Sequence, residues 1–212
     1  MISATSRSSR GRRTAVLASL LTILGACGGS ASTTRLESLP AAPPGRTVHL
    51  ATTDRIDKGL VDDLVAFYRA RYGLLVDVLP TFDPTVTGTD TDRRQLVAER
   101  VIDALRLSYS ELSRDENAVI IGLVSSDMYI ASRPDWRWAF GLRDSGRFAV
   151  ISTAHMHELF FDGDAFRSRV RKMLTRDIGV LYCGLPLNDD PSSVLYRSID
   201  GVGDLDRAGE DF

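Results

Sequence analysis

Apolar positions along the chain fall into two rhythms. Residues 47–52 (TVHLAT) form a short β-branched run and predict a strand. Residues 57–72 carry Leu60, Leu64, Phe67 and Tyr68 at three- and four-residue spacing, which predicts a helix. Gly73 stands where left-handed geometry would end it. Residues 74–79 read as a strand closed by Pro80, and 81–91 as a polar loop. Leu96, Ile102, Leu105 and Leu112 place a helix over 92–112. Residues 118–124 (AVIIGLV) are almost wholly apolar, the mark of a central strand covered on both faces. Two further strands are expected at 136–142 and 147–153, joined by a turn at Asp144, Ser145 and Gly146. A helix over 164–182 has Phe166, Val170, Met173 and Leu174 on one side. The rest is a long ordered loop over 185–203 and a short helix over 204–210. Strand, helix, strand, helix, strand in this order predicts an α/β domain with parallel pairing through right-handed crossovers.

The start of the chain follows neither rhythm. Arg7, Arg10, Arg12 and Arg13 precede an apolar stretch of about ten residues, too short to span a ~30 Å bilayer core. This suits a signal peptide over 1–26. It ends in Leu24-Gly25-Ala26-Cys27, which resembles the bacterial lipobox, so Cys27 is the expected lipidated N-terminus of the mature protein. Residues 27–46, rich in Ser, Thr, Ala, Gly and Pro, read as a tether to a body at 47–212. The expected location is the bacterial envelope, outside the cytoplasm and anchored to the membrane by lipid.

Composition changes the picture in three places. Loss of residues 1–26 removes four of the 26 basic residues and none of the 28 acidic ones, which leaves a net charge of −6. That balance argues against nucleic acid as a partner and gives the lipid the task of holding the membrane. All the basic residues except Lys58 and Lys172 are arginine, which reads as base composition. With Cys27 consumed, Cys183 has no partner in the chain and is expected to be a buried, inert thiol.

Several patches, in order, resemble the archaemetzincins, a branch of the metzincin zinc proteases. They are Asp92-Arg93-Arg94-Gln95-Leu96, the stretch VSSDMYIASRPDWRWAFGL at 124–142, and GRFAVIST at 146–153. The similarity runs over 47–212. It implies a metzincin-like twisted sheet, mostly parallel with an antiparallel edge strand, flanked by helices. It also implies a zinc site on the next helix, where two histidines at i and i+4 hold the metal and a glutamate between them acts as general base. Alignment on Gly179 places Arg176 at the first histidine, Asp177 at the glutamate, Val180 at the second histidine and Pro186 at the third. None of Arg176, Val180 and Pro186 can replace a neutral imidazole. Leu195 falls where the family's turn carries methionine, and keeps an apolar floor.

The body has only His49, His155 and His157, and no window reads H-x-x-x-H. His155, His157 and Glu158 form the one remaining metal candidate, since histidines at i and i+2 of an extended segment point the same way. The plainer reading is a polar strand end with exposed histidines. Asp204, Asp206, Glu210 and Asp211 read as solvated surface. No metal or other cofactor is therefore expected, zinc being lost with its ligands. The resemblance points to an envelope-anchored, catalytically inactive metzincin-like domain that binds a peptide or protein along its edge strand. Trp136, Trp138 and Phe140 would mark that edge. The alternatives are a peptidase with a rearranged site using His155, His157 and Asp177, and a structural envelope lipoprotein.

Overall fold

The seven residues of the central strand, Ala118–Val124, are all buried, and the rest of the fold is arranged around them. The structure is a computed structural model that describes residues 39–144, 146–157 and 163–212. The expected signal peptide, Cys27, most of the expected tether, Ser145 and Glu158 lie outside the described residues.

The chain enters β1 (Thr47–Thr52), turns into α1 (Lys58–Tyr72) and returns as β2 (Val76–Val78). Asp57 caps α1 by accepting from the Leu60 amide at 3.0 Å, and Gly73 closes it at φ 66°. Next come the short α2 (Thr85–Gly88), β3 (Thr89–Asp90) and β4 (Gln95–Val97), then α3 (Ala98–Ser108) and a 3-10 turn at Leu112–Arg114. The central strand is β5, followed by β6 (Met128–Tyr129), β7 (Gly141–Arg143) and β8 (Phe148–Ser152). Two helices finish the chain, α4 (Gly163–Leu181) and α5 (Val202–Arg207).

The main sheet has the order β2-β1-β5-β8-β7. All pairs are parallel except β7 with β8, so the edge strand is antiparallel. A second, three-stranded sheet has the order β3-β4-β6. Alternation along β5 divides the core in two. Val119, Ile121 and Leu123 join the cluster with Leu64 and Tyr68 of α1 and Leu174 and Ile178 of α4. Ile120 and Val124 join the other, with Val101 and Leu105 of α3. At Gly122 a Cβ would stand 2.9 Å from Leu105 Cδ1, so α3 can approach β5 this closely only over glycine.

Three expected elements are corrected. The helix foreseen over 92–112 begins only at Ala98, because Arg94 has φ 55° and Gln95–Val97 pairs with β3 and β6 as a strand. Pairing across a sheet overrides the local periodicity, and Leu96 is buried by the strand instead. The strand foreseen over 136–142 shrinks to Gly141–Arg143, with Trp136 and Trp138 in the irregular segment before it. The loop expected over 81–91 holds α2 and β3.

The C-terminal acids are not a free solvated face. Asp206 accepts two hydrogen bonds of 2.7 Å from Arg169, and Asp211 accepts from Arg71 and from the Tyr72 hydroxyl at 2.6 Å. Glu210 accepts from Ser168 at 2.6 Å. The segment is thereby strapped across α4 and α1. Below it, Gly179 lets Leu195 and Phe212 close on α4, since a Cβ there would stand 2.9 Å from Leu195 Cδ2 and 2.6 Å from Phe212 Cε1. At the other end, Leu39 packs against the core and Arg46 donates to the carbonyls of Leu181 and Tyr182, which caps the end of α4.

Two predictions follow from this packing. Gly179→Ala should cost about 1–3 kcal/mol through overpacking, read as a lowered urea midpoint. The Arg169 hydrogen bonds hold Asp206 below the ordinary carboxylate value. Its stabilising contribution is then present above about pH 4 and lost as pH falls through the depressed value. Urea midpoints between pH 3 and 7 should fall at the acid end, and Asp206→Asn should flatten that fall.

Candidate functional site

Helix α4 buries charge as well as apolar surface. Its apolar residues Val170, Met173, Leu174, Ile178 and Leu181 face the sheet, yet Arg169, Lys172, Thr175, Arg176 and Asp177 are also buried. Buried polar groups are costly unless bonded, so each needs a partner. Arg169 has Asp206 and the Met156 carbonyl. Lys172 donates to the Leu205 and Asp206 carbonyls at 2.8 and 3.2 Å. Burial pushes the Lys172 ammonium below its usual pKa. Thr175 shares a 2.8 Å hydrogen bond with the Tyr68 hydroxyl, which burial raises.

At positions 176 and 177 the pairing is incomplete. Asp177, 1% exposed, accepts from Arg143 of β7 at 2.5 Å through Oδ1, while Oδ2 has no partner. Burial raises the Asp177 carboxyl against the pull of Arg143. Arg176, 8% exposed, donates to the Arg197 carbonyl at 3.0 Å, and its Nε has no partner. Burial, then the neighbouring Arg143, lower its pKa to about 10. The other buried side-chain atoms without a partner among the described residues are Thr53 Oγ1 and Arg171 Nε.

Arg176 and Val180, one turn apart, line a cleft of about 810 Å³ beside β7. The walls come from 130–144, from α4 and from the loop that carries Leu187, Arg197 and Ile199. One side is the free edge of β7. The Phe140 carbonyl accepts from the Ser152 amide at 2.8 Å, and the Asp144 amide donates to the Phe148 carbonyl at 3.0 Å. Antiparallel alternation then turns the backbone groups of Gly141 and Arg143 away from β8, toward the open edge.

The segment before the edge is held by a polar chain. The Gln95 amide donates to Asp127 at 2.8 Å and to the Arg137 carbonyl at 2.9 Å. Asp127 also bonds His155 at 2.9 Å, and Arg93 donates to the Trp136 and Arg137 carbonyls. Gln95 and Asp127 are far apart in sequence from the Arg137 carbonyl and the His155 that they respectively hold, and no local pattern marks them for this task.

The expected site residues separate into groups. Trp138 is wedged between His155, stacked at 4.4 Å, and the edge of Phe140 at 4.8 Å. Phe140 is buried in the core, whereas Trp136 is 40% exposed at the cleft with Arg133 over its ring. Pro186 is exposed, beside the cleft-lining Leu187. Val194 and Leu195 are buried, so the apolar floor beneath α4 is in place. Cys183 is a buried free thiol whose pKa burial pushes up to about 11.

His155 and His157 have separate neighbours, and Glu158 lies outside the described residues. Residues 154–156 form a turn and not an extended strand, so the strand geometry that would point both rings the same way is not present there. His155 goes to Asp127 and Trp138, and exposed His157 stacks on Phe166 at 4.0 Å. His49 sits in β1 between Thr47 and Asp77. Asp177 is committed to Arg143. No group of three His, Cys, Asp or Glu side chains suited to a metal occurs among the described residues.

The residues at the cleft also fail to fit zinc on chemical grounds. A guanidinium has no lone pair to give, Val180 has no donor atom, Asp177 is buried in an ion pair with Arg143, Asp144 is held by Arg106, and the exposed Asp200 alone does not make a zinc site. What the cleft gathers instead is arginine: Arg133, Arg137, Arg143, Arg176 and Arg197. Read along the sequence, these looked like base composition, and only folding brings them together.

No protein-family model matches the chain, and no curated protein does. Solved structures do. Archaemetzincin from Archaeoglobus fulgidus, complexed with malonate, aligns at 22% identity and TM-score 0.63, over 78% of this chain and 94% of that one. A zinc-dependent peptidase from Methanocorpusculum labreanum gives 22% and 0.67, over 78% and 95%. Archaemetzincin from Methanopyrus kandleri gives 24% and 0.58, over 81% and 92%. With a mostly parallel five-stranded sheet, an antiparallel edge strand and helices on both faces, this chain has the archaemetzincin-like fold.

Proposed function

We propose that this protein is a metzincin-like domain that binds peptide without cleaving it, held at the bacterial envelope by lipid on Cys27. The observation that carries the reading is α4 itself. Where the resemblance implies a zinc-binding helix, the cleft-facing positions one turn apart hold Arg176 and Val180. One structural neighbour is a zinc-dependent peptidase, and hydrolysis of that kind rests on metal-activated water. In this chain the carboxylate nearest that position, Asp177, is spent on Arg143. A carboxylate without a metal cannot bring water toward a pKa of ~7.

Peptide binding needs no metal. The outward backbone groups of Gly141 and Arg143 offer an extended ligand the ladder that an added strand would use. Trp136 and Ile199 supply apolar wall. The Cys27 anchor rests on the basic stretch, the apolar core and the small residues before the cysteine.

Purified mature protein should contain well under one equivalent of zinc and should leave casein and a mixed peptide library intact with zinc added. One equivalent of tightly held zinc, with cleavage that a chelator abolishes, would overturn the non-catalytic reading. Cys27→Ser should move the protein out of the membrane fraction or leave it unprocessed. Fractionation like the wild type would sink the anchor.

A further inference from the structure

We infer that the cleft beside β7 selects peptides that present a carboxylate, which Arg176 receives. The inference rests on the peptide-binding reading above and names the chemistry of its ligand.

The cleft is lined by five arginines against two aspartates, Asp144 and Asp200, on a chain whose acidic residues outnumber its basic ones 28 to 26. Such local concentration focuses positive potential in a concave, partly dry space. Most of these charges are already spoken for. Asp144 is held by Arg106 at 2.6 Å and by the amides of Gly146 and Phe148 at 2.8 and 3.0 Å. Arg143 is neutralised by Asp177, and Arg197 pairs with Asp189 at 2.6 Å. Arg133 lies over the Trp136 ring.

Arg137 and Asp200 are exposed to solvent, and Arg176 is the buried exception. It is more than nine-tenths buried, no carboxylate pairs with it among the described residues, and Nε lacks any partner. Its one hydrogen bond goes to a neutral carbonyl, that of Arg197. The rest of α4 shows what a settled charge looks like here, since Arg169 has a two-pronged carboxylate in Asp206. A buried guanidinium left without a counter-ion is costly, and an incoming carboxylate relieves that cost in a planar two-pronged geometry. Asp177 bonds Arg143 and acts on Arg176 only through space, so among the described residues the one buried charge in the cleft without a bonded counter-ion is that of Arg176. A carboxylate at neutral pH matches it, and a doubly charged phosphate overshoots it.

The same cleft supplies the rest of the ligand's needs. A strand added to β7 runs past the outward groups of Gly141 and Arg143, and the Arg143 side chain reaches α4 at Asp177, beside Arg176. Met173, Val180 and Ile199 give an apolar surface for a side chain next to the carboxylate. The carboxylate can be the C-terminus of a peptide or an aspartate or glutamate side chain.

The test uses the full mature protein in detergent and four fluorescent, N-acetylated peptides of alternating valine and threonine. One ends in a free carboxylate; the second ends in an amide. The third carries an internal glutamate and an amide end, and the fourth a glutamine in its place. Anisotropy should show the first or the third binding about ten- to hundredfold more tightly than its neutral counterpart. The first against the second reads a C-terminal carboxylate, and the third against the fourth reads a side chain. The preference should shrink with added salt and disappear in Arg176→Gln. Arg176→Lys, which keeps the charge but loses the fork, should retain part of it.

Equal binding of all four peptides by the wild type would overturn the carboxylate inference while leaving peptide binding in place. Binding of none would overturn both. The wild-type comparison decides this even if a variant fails to fold, and an unchanged preference in a folded Arg176→Gln would also refute the role of Arg176.

Discussion

The constraint on which the fold depends is the burial of charged side chains along α4. A helix packed against a sheet can hide apolar residues at no electrostatic cost. Once it also hides Arg169, Lys172, Arg176 and Asp177, other segments must come to meet them. That requirement accounts for much of the chain outside the sheet. Residues after 182 turn back over α4 and bring carbonyls from Arg197, Leu205 and Asp206 and a carboxylate from Asp206. The edge strand is drawn in through Arg143, which ties β7 to α4 through Asp177. The cleft is the space left where this mutual satisfaction stops short.

The sheet sets where that space can be. Four parallel strands have helices on both faces, and the antiparallel β7 ends the sheet with unpaired backbone groups. A strand edge is normally blunted or covered. Here it is walled by the 130–140 segment on one side and by α4 with the 187–200 loop on the other. The wall is held up by side chains far apart in sequence, with Gln95 and Asp127 joining the second sheet to the Arg137 carbonyl. The chemistry-bearing residues and those that place them therefore sit in different layers of the fold.

Local pattern made β1 and β5 legible to the residue, because an apolar β-branched run bounded by polar turns has few other uses. The course of α1 was legible from its three- and four-residue spacing and its end from Gly73, while the capping role of Asp57 came only with the structure. What periodicity could not carry was pairing between distant segments. Leu96 fits a helical register and a strand equally well, and only its neighbours in β3 and β6 decide. The resemblance to archaemetzincins was legible from the order of short patches, and the fold agrees with it. The arginines of the cleft were not legible as a group. They are scattered over 133–197, and charge counted along a chain says nothing about which charges share a cavity. The acidic C-terminus was misjudged because exposure is the common fate of such residues unless buried cations call them inward.

One junction has a mechanical side. The chain enters the body at Arg46, whose guanidinium grips the last carbonyls of α4, and passes directly into β1. That strand is not at an edge; it lies between β2 and β5, in parallel register with both. A pull on the preceding chain therefore acts along β1 and shears its six paired positions with β5 together, where an edge hairpin would unzip one bond at a time. Tension from that side is spread through the centre of the sheet before it can reach the cleft.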